Sequence, residues 1–233
     1  MYNIGNEQVR QDVLKLQQAF LTKVYGWMML GLLVTALSSF FTLTNESLLR
    51  FVFSSKMSFY AIIIAQFGIV IFLSARIQKM SASMAKALFV LYSAITGLTL
   101  ASIFFVFTAE SIASTFIITA LMFGSMAFYG YVTKRDLTGV GQFMMMGLFG
   151  VVIASVVNIF MRSDSLGWIV SFISVIVFTG LTAYDTQKMK AMAYVMLDGE
   201  EVAAKGAIIG ALQLYLDFIN LFLALLRLFG NRR

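Results

Sequence analysis

The chain has 233 residues, 60% of them hydrophobic and only 12% charged, and its mean hydropathy is +0.89. A soluble domain of this length cannot hide so much apolar surface, so the sequence describes a polytopic integral membrane protein. Cys and His are both absent, which excludes disulfides, thiolate catalysis, zinc sites and His-ligated haem, and the net charge of +6 is scattered singly between apolar spans, as in a membrane protein rather than a nucleic-acid binder.

Residues 1–22 carry Val9, Val13, Leu16 and Phe20 at helical spacing, with Arg10, Asp12, Lys15 and Gln17 between them. This reads as an N-terminal cytoplasmic segment, either an amphipathic helix on the membrane surface or a soluble turn. It precedes a transmembrane domain over 23–233. The first 20 residues are polar and mixed in charge, so no cleavable signal peptide is expected. Seven apolar spans follow, at about 24–43, 57–75, 87–107, 112–132, 143–161, 166–184 and 207–229. Each is near the ~20 residues that a hydrocarbon core requires. Trp27, Tyr60, Tyr129, Tyr131 and Trp168 fall near span ends, where interfacial aromatics belong. Pro is absent, so any break within a span must come from Gly or an unwound turn.

Basic residues set the orientation. With the N-terminus inside, the inner segments hold Arg10, Lys15, Lys23, Arg76, Lys79, Lys86, Lys134, Arg135, Lys188, Lys190 and Lys205. The outer segments hold Arg50, Lys56, Arg162, Arg227, Arg232 and Arg233. A last segment that dipped in and returned would move the C-terminal arginines inside as well, so charge counting alone prefers a re-entrant or six-span arrangement.

Between the last two spans, 185–206 is the longest polar connection and reads as a solvated inner loop, with a cation-collecting mouth as the alternative. Thr96-Gly97-Leu98-Thr99 in span 3 recurs as Thr179-Gly180-Leu181-Thr182 in span 6, which raises an inverted repeat of spans 1–3 and 4–6 around span 7. The Met144-Met145-Met146 run reads as lipid-facing filler.

Span 7 carries the group that a simple anchor would not need. Asp217 lies close to its middle, and a carboxylate there costs at least ~2.5 kcal/mol on insertion scales. Gln213, Asp217, Asn220, Ala224 and Arg227 share one helical face, a polar or small stripe that must meet protein or water. Arg227 is about 15 Å beyond Asp217 along the axis, so Asp217 needs another partner. Asp185 is the best candidate, at the inner end of span 6 on a face with Ser171, Ser174, Phe178 and Thr182. Two carboxylates brought together share a proton and titrate as one unit, which makes a pH sensor without histidine. Their depths do not match, because Asp185 falls near the inner interface and Asp217 deeper. A buried capping role for Asp217 and a solvated helix-end role for Asp185 beside Lys188 are the structural alternatives. Arg76, ending span 2, is either an inner-side anchor or a latch that holds span 2 to the aspartates. No nucleophile–base set, P-loop or dinucleotide fingerprint is present, so the chain is not expected to be an enzyme.

The stretch Leu214-Tyr215-Leu216-Asp217-Phe218-Ile219-Asn220-Leu221-Phe222, with Leu225-Leu226-Arg227 after it, resembles the C-terminal signature of the Bax inhibitor-1 (transmembrane BAX inhibitor motif) family. Ala183-Tyr184-Asp185-Thr186-Gln187 resembles that family's second aspartate motif, and Phe20-Leu21-Thr22-Lys23-Val24-Tyr25 the start of its bacterial members. The resemblance covers nearly the whole chain. It implies a seven-helix fold, with two three-helix layers around a central C-terminal helix, and a pH-dependent calcium leak with Asp185 and Asp217 as the sensor pair. Arg76 matches the family's span-2 arginine and Arg227 its outer-end arginine. Ala65 and Gln66 stand where some members carry an outer acidic partner.

Calcium takes six to eight oxygens, so two carboxylates would hold it only transiently as a permeant ion, and no cofactor is expected. The leading reading is a proton-gated calcium leak in a bacterial inner membrane, N-terminus cytoplasmic and C-terminus outside, monomeric in the lipid bilayer. The competing readings are a non-conducting regulator that binds membrane-protein partners and a proton-coupled transporter.

Overall fold

The structure is a computed structural model that describes residues 2–233, with side chains at 7–9 and from 11 onward. The Arg10 side chain, counted above with the inner basic residues, and Met1 lie outside the described residues. Among the described residues the secondary structure is helical apart from one isolated bridge, Phe107 to Arg232. Seven helices are long and apolar enough to cross a membrane. They are α1 (Tyr2–Thr44), α3 (Lys56–Arg76), α4 (Ala82–Leu100), α6 (Ala109–Val132), α7 (Thr138–Met161), α8 (Asp164–Met192) and α9 (Glu200–Phe229), with short α2 (Glu46–Phe53) and α5 (Ile103–Val106) in the connections.

With no proline to stop them, the helices begin at polar caps. The side chains of Asn45, Ser55, Ser81 and Thr108 accept from the backbone N–H three residues on, opening α2, α3, α4 and α6. Each satisfies one of the donors that a helix start leaves unpaired. The long apolar faces of α3 and α7 remain exposed, including Ile64, Phe67 and Ile71 on one and Phe143, Phe149, Ile153 and Phe160 on the other. Such continuous apolar surface belongs against lipid, and the chain is an integral membrane protein.

Residues 2–22 and the first span share one helix, because α1 runs unbroken from Tyr2 through Thr44. One expectation about a connection is corrected. Residues 185–206 are not a loop. Helix α8 continues to Met192, a 3-10 turn covers Ala193–Asp198, and α9 starts at Glu200. The only residue between the turn and α9 is Gly199, at φ 105, a left-handed backbone that glycine adopts without steric cost. Glu200 and Glu201 then occupy the first turn of α9, where the helix dipole favours negative charge.

The chain divides into two compact units, residues up to Ser102 with Met189–Leu212, and Ile103–Lys188 with Gln213–Arg233. Each holds three long helices and a part of α9, which is the most buried of the seven at 67%. In the first unit α1 packs along α4 so closely that a Cβ on Gly97 would lie 2.4 Å from the Thr35 carbonyl oxygen. The Thr35 hydroxyl donates to the Ser93 carbonyl at 2.9 Å and the Ser38 hydroxyl to that of Ala94 at 2.7 Å, lacing the pair together.

In the second unit α6 meets α8 at Gly130, where a Cβ would lie 2.2 Å from the Ala183 carbonyl oxygen. Phe218 of α9 packs edge-on against Phe116 and Phe123 of α6. The repeated Thr-Gly-Leu-Thr stretches are not equivalent in packing. Gly97 faces a backbone carbonyl, whereas Gly180 faces the flexible Met144 side chain of α7. Met144 therefore packs within the protein, and only Met145 and Met146 of that run are exposed.

Candidate functional site

The second unit brings the two aspartates together. Asp217 is 4% and Asp185 8% exposed, and their side chains lie close enough to interact directly. The expected mismatch in depth disappears because both helices outrun their apolar stretches. Asp185 lies seven residues before the end of α8, about 10 Å along the axis, and Asp217 is likewise well inside α9. A hydrogen bond between two carboxyl groups requires a proton on one of them. Losing it leaves two like charges in contact, which a cation can bridge.

The segment Ala183–Gln187 shows how α8 aims its carboxylate. Ala183 offers its backbone to the gap at Gly130, and the Tyr184 ring fills the space beside Gly141, where a Cβ would lie 2.4 Å from it. Gln187 accepts from the Leu137 N–H at 2.8 Å and donates to the Arg135 carbonyl at 2.8 Å, tying α8 to the connection between α6 and α7. These three residues fix α8 against two neighbours, and Asp185 between them reaches α9. The tie made by Gln187 was not foreseen. Its one sequence signal is its place two residues after Asp185.

The rest of the predicted α8 stripe is buried, and its hydroxyls are satisfied locally. Ser171, Ser174 and Thr182 donate to the carbonyls of Gly167, Val170 and Phe178 at 2.9, 2.7 and 2.7 Å. Asp185 is thus the member of that stripe that turns to α9. Lys188, one turn on, adds a positive charge that acts on Asp185.

On α9 the predicted stripe splits. Gln213 and Asn220 are half-buried and Arg227 is exposed, while Asp217 and Ala224 on the adjacent row are buried. Asn220 donates to the Leu216 carbonyl at 2.8 Å. Two oxygens one turn apart, Asp217 Oδ2 and Gln213 Oε1, are buried without a hydrogen-bond partner. That is an acceptor-rich spot, and it calls for a proton, a water or a cation. Among the described residues no group of three or more acidic, His or Cys side chains surrounds a point.

Arg76 is exposed at the end of α3 and forms no ion pair among the described residues. In the first unit, Gln66 donates to the Ile95 carbonyl at 3.1 Å and the Thr99 hydroxyl at 3.0 Å, tying α3 to α4.

Comparison with known proteins agrees with the sequence motifs. The sequence pattern of the family described as "Inhibitor of apoptosis-promoting Bax1" matches residues 17–233. The chain is 54% identical over 218 residues to the inner membrane protein YbhL of Escherichia coli, covering 93% of each chain. It is 47% identical over 226 residues to a protein of Borreliella burgdorferi, covering 97% of each. To a protein of Deinococcus radiodurans it is 40% identical over 224 residues, covering 96% of this chain and 95% of that one.

Proposed function

Because the chain belongs to the Bax inhibitor-1 family, we propose that it is a calcium-permeable leak whose opening is set by the proton on the Asp185–Asp217 pair. The observation that carries this reading is the buried carboxyl pair with an unpartnered oxygen, Asp217 Oδ2, beside the equally unpartnered Gln213 Oε1. With the pair fully ionised, Arg76 acts as the latch that balances its charge and keeps the path closed. Protonation removes that charge, releases Arg76 and opens the path. Calcium passing the protonated pair meets the oxygens of two carboxyl groups and of Gln213, too few for the six to eight that a storage site provides, and therefore leaves again. The printed name of the Escherichia coli relative supports an inner-membrane location, and the distribution of basic residues supports a cytoplasmic N-terminus.

The test is calcium flux into proteoliposomes across pH 6–8, comparing the parent chain with Asp185→Asn and Asp217→Asn. Both substitutions keep the side-chain shape and remove one titrating group, so each flattens the pH profile. An unchanged profile in both variants would sink the proposal. No flux at any pH, together with crosslinking to other membrane proteins, would point instead to the non-conducting regulator. Saturable exchange of a solute would identify the proton-coupled transporter.

A further inference from the structure

At the end of the second unit where α7 stops, α8 starts and α9 stops, three arginines line one cavity of about 600 Å³, Arg162, Arg227 and Arg232. The cavity also holds Asp164, whose single carboxylate cannot balance three guanidinium groups, and none of the three forms an ion pair among the described residues. Like charges gathered around one space repel one another unless something negative sits among them.

The arginines are held there by built structure. The C-terminal tail is fastened to the start of α6 and the residues before it. The Thr108 N–H donates to the Asn231 carbonyl at 3.1 Å, the Arg233 N–H to the Val106 carbonyl at 3.0 Å, and the Asn231 N–H to the Ser111 hydroxyl at 2.9 Å. Arg232, bridged to Phe107, is fixed between these bonds. Arg162 ends α7 at φ 50, ψ 38, a left-handed conformation that glycine takes more readily than arginine, yet arginine stands there. The first turn of α8 opens on the same cavity, with Ser163 accepting from the Leu166 N–H at 3.3 Å and further N–H groups free for an anion. Trp168, 57% exposed and stacked flat on Phe172 at 5.5 Å, stands at the cavity wall. An aromatic so placed marks the headgroup level of a bilayer.

We propose that this cavity binds a phosphate-bearing anion, with the arginines forking onto its oxygens. A phosphodiester of an anionic lipid headgroup and a free phosphate share that chemistry. The site is separate from the aspartate pair, and the proposal does not rest on calcium conduction.

The test follows thermal unfolding of the purified full chain in detergent. It is titrated separately with inorganic phosphate, with dihexanoyl phosphatidylglycerol and with dihexanoyl phosphatidylcholine. A saturable rise in Tm with phosphatidylglycerol alone identifies the lipid headgroup, and an equal rise with inorganic phosphate identifies the free anion. In either case Arg162→Gln and Arg232→Gln each raise the half-saturating concentration roughly tenfold, as loss of a charge-assisted bond implies. Arg50→Gln, in α2, leaves it unchanged. If the glutamine variants fail to fold, Arg162→Lys, which keeps the charge but loses the fork, still weakens binding measurably. No saturable rise with any phosphate compound, a rise with phosphatidylcholine equal to that with phosphatidylglycerol, or the same half-saturation in every variant overturns the proposal.

Discussion

Replacing Gly130 with alanine puts a Cβ 2.2 Å from the Ala183 carbonyl oxygen and 2.9 Å from its carbon. Carbon and carbonyl oxygen ordinarily approach no closer than about 3.3 Å, so α6 and α8 must part by about 1 Å. The obstacle is backbone and cannot rotate away. Overpacking of this kind costs up to about 3 kcal/mol, offset by the ~1 kcal/mol that alanine gains over glycine in a helix. A net loss of about 1–2 kcal/mol corresponds to a Tm roughly 2–8 °C lower for a chain of this size. Gly124 of the same helix has nothing within 4 Å of its Cβ position, so Gly124→Ala carries only the propensity gain and leaves Tm unchanged or slightly higher. Thermal unfolding of the two purified variants side by side isolates the contact. Ala183 also precedes Asp185 by two residues on α8, so Gly130→Ala shifts the pH profile of flux while Gly124→Ala does not. Equal Tm shifts in the two variants would refute the close approach of α6 and α8.

Two further perturbations address the frame around the site. Gln187→Ala removes two hydrogen bonds to the connection between α6 and α7, and a loss of about 1–3 kcal/mol is expected as a lower Tm in the same unfolding assay. In that connection, the Thr138 hydroxyl and N–H donate to Asp136 at 2.6 and 2.9 Å, which holds its carboxyl below the usual carboxylate range. A carboxyl depressed in the folded state contributes stability above its unfolded value, about 3.9. That stability is lost as pH falls through the folded value. Asp136→Asn therefore flattens the fall in Tm below about pH 4, and an acid-side Tm curve identical to that of the parent chain would contradict this.

Apolar length made the seven spans legible, and the isolation of Asp217 within one of them marked the site. The partner was legible too, because few carboxylates lie near a span. Its depth was not. Span ends were read where polar residues begin, but a helix ends where its backbone is interrupted. With no proline available, α8 carries Lys188 and Lys190 as ordinary helical residues, and the chain does not turn until Gly199. The same misreading made a loop of 185–206. The stripe on α9 was legible as a set of positions but not as two rows, because periodicity cannot tell the buried Asp217 from the half-buried Gln213 and Asn220. Gln187 escaped notice because a glutamine's worth depends on which backbone groups lie opposite, and these come from residues 50 and 52 positions away.

A structural role alone does not account for the choice of residue at the pair. Buried hydroxyls elsewhere on α8 bond to the carbonyl one turn back and ask nothing of α9. Were the pair only a clasp between α8 and α9, asparagine at either position would donate and accept without needing a proton from solution. Two carboxyls can do what amides cannot, which is to exchange a proton and to accept a cation in its place. The surroundings favour that exchange. Asp217 Oδ2 and Gln213 Oε1 are both buried, and neither has a hydrogen-bond partner among the described residues. An excess of buried acceptors is destabilising by itself. It is relieved by a positively charged or proton-donating species brought from outside, which is what the proposed leak would supply.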